Sequence, residues 1–99
     1  MATLHVLSHS PFTDTRLTSC LRLLGPEDGL LLTGDAAYAL ALDSEPRRLL
    51  DRDVATDRLF VLGEDLVARN LPAPEGVESV DYPGFVELTL RFDRVNTWL

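Results

Sequence analysis

The sequence predicts an α/β fold: a single small three-layer domain, with a mainly parallel sheet of four to five strands and helices on both faces. Three observations carry that prediction. Short apolar runs at residues 3–7, 30–33 and 58–63 alternate with stretches of helical period. One of the runs, Leu30-Leu31-Leu32, is short, continuously apolar and flanked by glycines, as a central strand covered on both faces is. Strands separated by helices imply right-handed crossovers, and therefore parallel pairing.

The first run, Thr3-Leu4-His5-Val6-Leu7, reads as a buried strand that Ser8-His9-Ser10-Pro11 ends. Beyond it Leu17, Cys20, Leu21 and Leu24 recur on one helical face, with Thr13-Asp14 placed to start a helix and Gly25-Pro26 to stop it. Residues 30–33 form the next strand, ended by Gly34-Asp35. Ala36-Ala37-Tyr38-Ala39-Leu40-Ala41-Leu42 then favours an α-helix with Asp35 as N-cap. Ser44-Glu45-Pro46 suits the start of a second short helix through Leu49-Leu50. Residues 58–63 are the third strand, and Glu64-Asp65 suit the N-terminus of the helix that follows. After the loop Pro72-Ala73-Pro74-Glu75-Gly76, Val77-Glu78-Ser79-Val80 alternates as a fourth strand. Tyr82-Pro83-Gly84 reads as a turn into Phe85-Val86-Glu87-Leu88-Thr89-Leu90, which suits a helix or an extended segment, the helix being preferred because it faces Phe85, Leu88 and Phe92 inward. Trp98-Leu99 ends the chain, and an aromatic there docks on its own domain or on a partner.

Composition narrows the function. Ninety-nine residues make one domain, 1–99. A formal charge of −7, with all nine basic residues scattered arginines, argues against a direct nucleic-acid grip. No apolar run approaches the roughly 20 residues of a membrane span. One cysteine forms no intrachain disulfide, and no signal-peptide pattern precedes the first strand, so the expected location is cytoplasmic.

The chemistry-bearing residues are few. Cys20 is the lone thiol, and its spacing places it on the inward helix face, where cysteine behaves as a small hydrophobe. A reactive thiol needs partial exposure and a cationic neighbour, and Arg16, one turn earlier, is the cation at hand. His5, within a strand, reads as a hydrogen-bonded structural residue; His9, on a strand-end loop, has better access and would pair with Cys20 only if the fold brought them together. Asp51, Asp53 and Asp57 lack the glycine and ligand spacing of a calcium loop, so no metal is expected. Without lysine there is no Walker A motif, and no glycine pair has dinucleotide-loop spacing, so no cofactor is expected either. Sites in parallel sheets lie beyond the strand carboxyl ends, here Ser8-His9-Ser10, Thr33-Gly34-Asp35 and Gly63-Glu64-Asp65.

Four segments together resemble the DsrH/TusB family: Leu4-His5 with Ser10-Pro11, the strand leading to Asp35 and Tyr38, Leu62 with Asp65-Leu66 and Ala68-Arg69, and Val80-Asp81-Tyr82 with Gly84-Phe85-Val86. Trp98 closes the pattern. Ala36 and Asn70 stand where the family often has glycine. The resemblance implies a DsrE/DsrF/DsrH-like fold and a dimer of heterotrimers with TusC/DsrF-like and TusD/DsrE-like subunits. It implies persulfide transfer from a TusA-like donor to a TusE/DsrC-like acceptor, for 2-thiouridine at the tRNA wobble position or, alternatively, for oxidation of stored sulfur. The principal sulfur-carrying cysteine in such complexes lies on the TusD/DsrE-type subunit. Here the resemblance leaves two roles: Cys20 as an auxiliary persulfide carrier, or a non-catalytic interaction subunit whose Tyr82, Phe85 and Trp98 build the hexamer. An unrelated flavodoxin-like binder would need a phosphate-cradling loop, for which Ser8-His9-Ser10 is poorly suited.

Overall fold

A computed structural model describes residues 2–98. Five strands, β1 (Thr3–Leu7), β2 (Gly29–Leu32), β3 (Leu59–Leu62), β4 (Glu78–Val80) and β5 (Arg94–Trp98), form one sheet in the order β4-β3-β2-β1-β5. Every pairing is parallel, as the alternation of runs and helical stretches requires. The α-helices are α1 (Arg16–Leu23), α2 (Glu45–Asp53), α3 (Gly63–Ala68) and α4 (Tyr82–Arg91).

Strand alternation splits the core in two. Leu7, Leu30, Leu32, Leu59 and Val61 point to one face, where Leu17 and Cys20 of α1, Leu50 of α2 and Leu66 of α3 cover them. Leu4, Val6, Leu31, Phe60 and Leu62 point to the other, covered by Leu88 with Phe85 and Phe92 around it. Gly29 begins β2 under that aromatic lid: a Cβ there would lie 2.5 Å from Phe92 Cζ, so only glycine lets the ring close on the sheet.

Three local expectations change. The alanine-rich segment is a 3-10 helix, Gly34–Leu40, with no side-chain N-cap. Its Ala36, Ala37, Ala39 and Leu40 are buried, and small side chains at i and i+3 tolerate the eclipsed packing of that tight winding. Asp35 caps nothing because its carboxylate is engaged elsewhere, as described below. Tyr82-Pro83-Gly84 is not a turn but the first turn of α4: Asp81 is the N-cap, accepting from the Gly84 amide at 2.8 Å, and proline is accommodated at this helix start. Finally, residues 94–98 form the parallel edge strand β5, with Leu4 opposite Val95 and Leu7 opposite Trp98. Leu99 lies outside the described residues.

Other elements start where the sequence indicates. Ser44 caps α2 by accepting from the Arg47 amide, and buried Pro46 follows. Helix α1 starts later than Thr13-Asp14, yet Asp14 still accepts the Arg16 amide at 2.8 Å just ahead of it.

Candidate functional site

The strand carboxyl ends carry one side-chain network built from segments distant in sequence. Gly34, at φ +52°, turns the chain out of β2, and its amide donates to Asp65 Oδ2 at 2.8 Å. The other oxygen of Asp65 accepts from Arg69 Nη1 at 3.2 Å, one helical turn further along. Arg69 Nη2 reaches back to Asp35 at 2.8 Å, and its guanidinium lies 5.7 Å from the Tyr38 ring centre. The Asp35 carboxylate beside it raises the Arg69 guanidinium above its ordinary value, although the pair is open enough to water for the effect on stability to be small. Thr33 holds the ends of β1 and β2 together, donating from both its amide and its hydroxyl to the Leu7 carbonyl.

Asp35, Tyr38, Asp65 and Arg69 are therefore one cluster in which each charge has a partner. Such a cluster fixes loops. It offers no unpaired base or nucleophile. Asn70, where glycine is usual in the resemblance, sits at φ +53°, a left-handed conformation that asparagine tolerates better than most side chains.

Beside it, Gly63, Glu64, Ser79, Asp81 and Tyr82 line an open cleft. Tyr82 bonds the Glu64 carboxylate, and that negative acceptor pushes the phenol pKa above its ordinary value. His9 is exposed, with Ser8 Oγ 3.5 Å from its Nδ1.

Cys20 is fully buried in the α1-side core. Burial first, and then the negative charge of Asp28, push its thiol from 9.0 up to about 12. At neutral pH the thiolate fraction is then on the order of one in 10⁵. Arg16 is bound to Asp14, so the expected nearby cation is not directed at the sulfur. The structure does not bring Cys20 and His9 together as a nucleophile and base: one is sealed in the core, the other faces solvent.

His5 has the structural role its strand position suggests, with a partner that sequence did not indicate. Its Nε2 lies 3.3 Å from Asp28 Oδ2, and its Nδ1 accepts from Trp98 Nε1 at 3.2 Å. Because the indole only donates, the proton on the ring belongs on Nε2, facing Asp28. Asp28 also accepts from the amides of Thr3 (2.9 Å) and Gly25 (2.8 Å). Burial works to raise the Asp28 pKa, but those two amides and His5 hold it below the ordinary carboxylate value. Asp51 and Asp53 are engaged by Arg47 and Arg52, and no group of three or more metal-ligating side chains occurs among the described residues.

Fold and site define a small parallel α/β module whose motif residues are spent on its own loops and strand ends. Known proteins of that class match it closely. The model of the DsrH family, described as DsrH like protein, matches residues 9–95. Proteins named TusB from Yersinia pestis (strain Pestoides F) and Yersinia pseudotuberculosis (serotype O:1b, strain IP 31758) are each 37% identical over 97 residues, covering 96% of this chain and 99% of theirs. The crystal structure of the ychN protein from E. coli shares the fold, with a TM-score of 0.73 at 20% identity over 99% of this chain and 100% of that one. The chain belongs to the DsrH/TusB family of sulfur-relay subunits, found in complexes of the TusBCD or DsrEFH type. The four segments that carried the resemblance all serve the fold: Leu4 and His5 at β1, the Asp35-Tyr38-Asp65-Arg69 cluster, and the Asp81 cap of α4.

Among the described residues no helix is long and apolar enough to cross a membrane.

Proposed function

We propose that this chain, as one unit over residues 1–99, is the interaction subunit of a cytoplasmic TusBCD-type complex. The complex passes persulfide sulfur from a TusA-like donor to a TusE-like acceptor for 2-thiouridine formation at the tRNA wobble position. The TusD-like partner carries the sulfur and a TusC-like partner completes the heterotrimer, two of which form the hexamer. Cys20 serves packing. The observation that carries this reading is the burial of that thiol: accepting sulfur requires a thiolate to attack the outer sulfur of the donor persulfide and displace the donor thiolate. A fully buried thiol ionising near 12 satisfies neither access nor charge.

The surface for assembly is supported by α4, where Tyr82, Val86 and Leu90 follow one another at i, i+4 and i+8 and are 55%, 61% and 81% exposed. A helix that buries Leu88 beneath it and leaves this stripe bare presents a second apolar face. Phe85 and Trp98, the other aromatics considered for assembly, instead pack against the two cores.

The test is reconstitution with TusC-like and TusD-like subunits, the wild-type chain beside Cys20→Ala. The expected result is co-purification of all three and unchanged sulfur delivery to the acceptor. Failure to co-purify overturns the assembly role, and a tenfold or larger loss of transfer in an intact Cys20→Ala complex overturns the packing role of the thiol.

A further inference from the structure

The amino ends of the strands, opposite the Asp35-Arg69 cluster, hold a feature that the relay reading does not use. A groove of about 620 Å³ opens between the last turns of α1 and α2, floored by Leu21, Leu24 and Leu49 and edged by Arg22, Arg52 and Arg58. Helix-end arginines complement the macrodipole, which accounts for Arg22 and Arg52 singly. It does not account for Arg58, which belongs to neither helix and is aimed by bonds from its Nη1 to the carbonyls of Asp28 (2.8 Å) and Gly25 (3.3 Å). Those bonds leave its Nε and Nη2 donors for another acceptor. Arg52 is tied to Asp53, the one acidic residue on the groove.

Three arginines thus line the groove against one carboxylate, which Arg52 already holds, on a chain whose net charge is −7. The local sign is opposite to that of the molecule. We propose that this groove docks an acidic segment of a protein partner, with an aliphatic side chain on the leucine floor and flanking carboxylates on the arginine rim. The floor decides between anions: a nucleic-acid backbone has no aliphatic group to seat there, and its dense charge is repelled by the acidic remainder of the surface. Guanidinium forks pair with carboxylates in bidentate geometry, which gives register as well as attraction.

The experiment is fluorescence anisotropy of the full chain with a fluorescein-labelled peptide of alternating glutamate and leucine. Saturable binding that weakens with salt is expected, and it falls about tenfold or more in Arg22→Glu/Arg52→Glu, whose sites are exposed and whose fold is checked by circular dichroism. Thr18→Trp, at an exposed position on the groove wall, fills the groove without changing its charge and is expected to abolish binding as well. A peptide with serine in place of leucine is expected to bind at least tenfold more weakly, since it lacks the floor contact. Absence of binding, binding indifferent to both variants, or tighter binding of single-stranded oligothymidylate to the same groove overturns the proposal.

Discussion

The two faces of the sheet are covered to different degrees, and the difference separates what holds this molecule together from what it presents. On the α1 side three α-helices and the 3-10 helix close over the sheet, and the polar groups that enter, His5 and Asp28, are bonded to each other. On the other side α4 and the residue after it supply Leu88, Phe85 and Phe92, and the outer surface of α4 carries the exposed Tyr82, Val86 and Leu90 beside Glu87 and Arg91. The first face is sealed by several elements, with Leu23, Leu42 and Val67 left exposed at separate places on and beside them. The second has a finished interior under an unfinished exterior, the arrangement expected of a subunit whose neighbour supplies the missing layer.

The interiors of both faces should cost the same to disrupt. Leu50→Ala on α2 and Leu88→Ala on α4 both remove a side chain exposed by 1% or less, and each is expected to destabilise the isolated chain by about 3 kcal/mol. Urea unfolding checks the pair. A Leu88→Ala cost below about 1 kcal/mol would show that the α4 interior is loose and that the comparison is wrong.

A smaller effect tests the polar insertion on the α1 side. Asp28→Asn takes away the charge that holds the Thr3 and Gly25 amides and the His5 ring, at an expected cost of about 2 kcal/mol at neutral pH. Because the folded carboxyl ionises below its ordinary 3.8, its contribution is complete above that value and disappears as pH falls through the depressed one. The stability difference between wild type and variant should therefore be constant at neutral pH and shrink below pH 3.8. A difference that does not narrow in acid would remove Asp28 as the source.

Cys20 gives the corresponding effect in alkali. Its thiol ionises near 9.0 in the unfolded chain and near 12 in the folded one, so the folded state holds a proton that the unfolded state has lost. Stability falls as pH rises through that interval, by about 1.4 kcal/mol per pH unit from this group. Cys20→Ala should unfold with a shallower alkaline slope than wild type. Equal slopes would mean that the thiol already ionises in the folded protein, which reopens its use as a sulfur acceptor.

Much of the buried framework was legible in the sequence. The unbroken Leu30-Leu31-Leu32 run announced a strand buried twice, Leu59-Phe60-Val61-Leu62 a further strand, and Leu17, Cys20, Leu21 and Leu24 the inward side of α1. What stayed hidden was long-range. Asp35 and Arg69 lie 34 residues apart, and Asp28 meets His5 across 23. No local pattern marks such pairs. Strand β5 was missed because an edge strand is exposed on most of its residues, so Arg94-Val95-Asn96-Thr97 lacks the apolar run that identified the inner strands. The 3-10 winding was missed because alanine propensity favours an α-helix, and close packing against the sheet outweighed it.

The smallest effect on stability is the one that bears most on function. Leu90, at 81% exposure on the outer line of α4, touches little in the isolated chain, so Leu90→Ser should change its unfolding free energy by no more than about 0.5 kcal/mol. Among assembled subunits the same side chain would be covered, and removing it from an apolar contact should weaken association at least tenfold, read by size-exclusion chromatography with the TusC-like and TusD-like partners. A loss in the free chain as large as that of Leu88→Ala would make Leu90 part of the core and the exposed stripe an artefact of counting helix positions. No loss in either setting would leave Tyr82 and Val86 as ordinary surface residues and move the assembly contact away from α4. Only the combination of a silent change in the free chain and a marked one in the complex fits a face completed by a neighbour. That combination also separates the outer line of α4 from buried positions such as Leu50, where a loss of assembly should follow only from a loss of the fold.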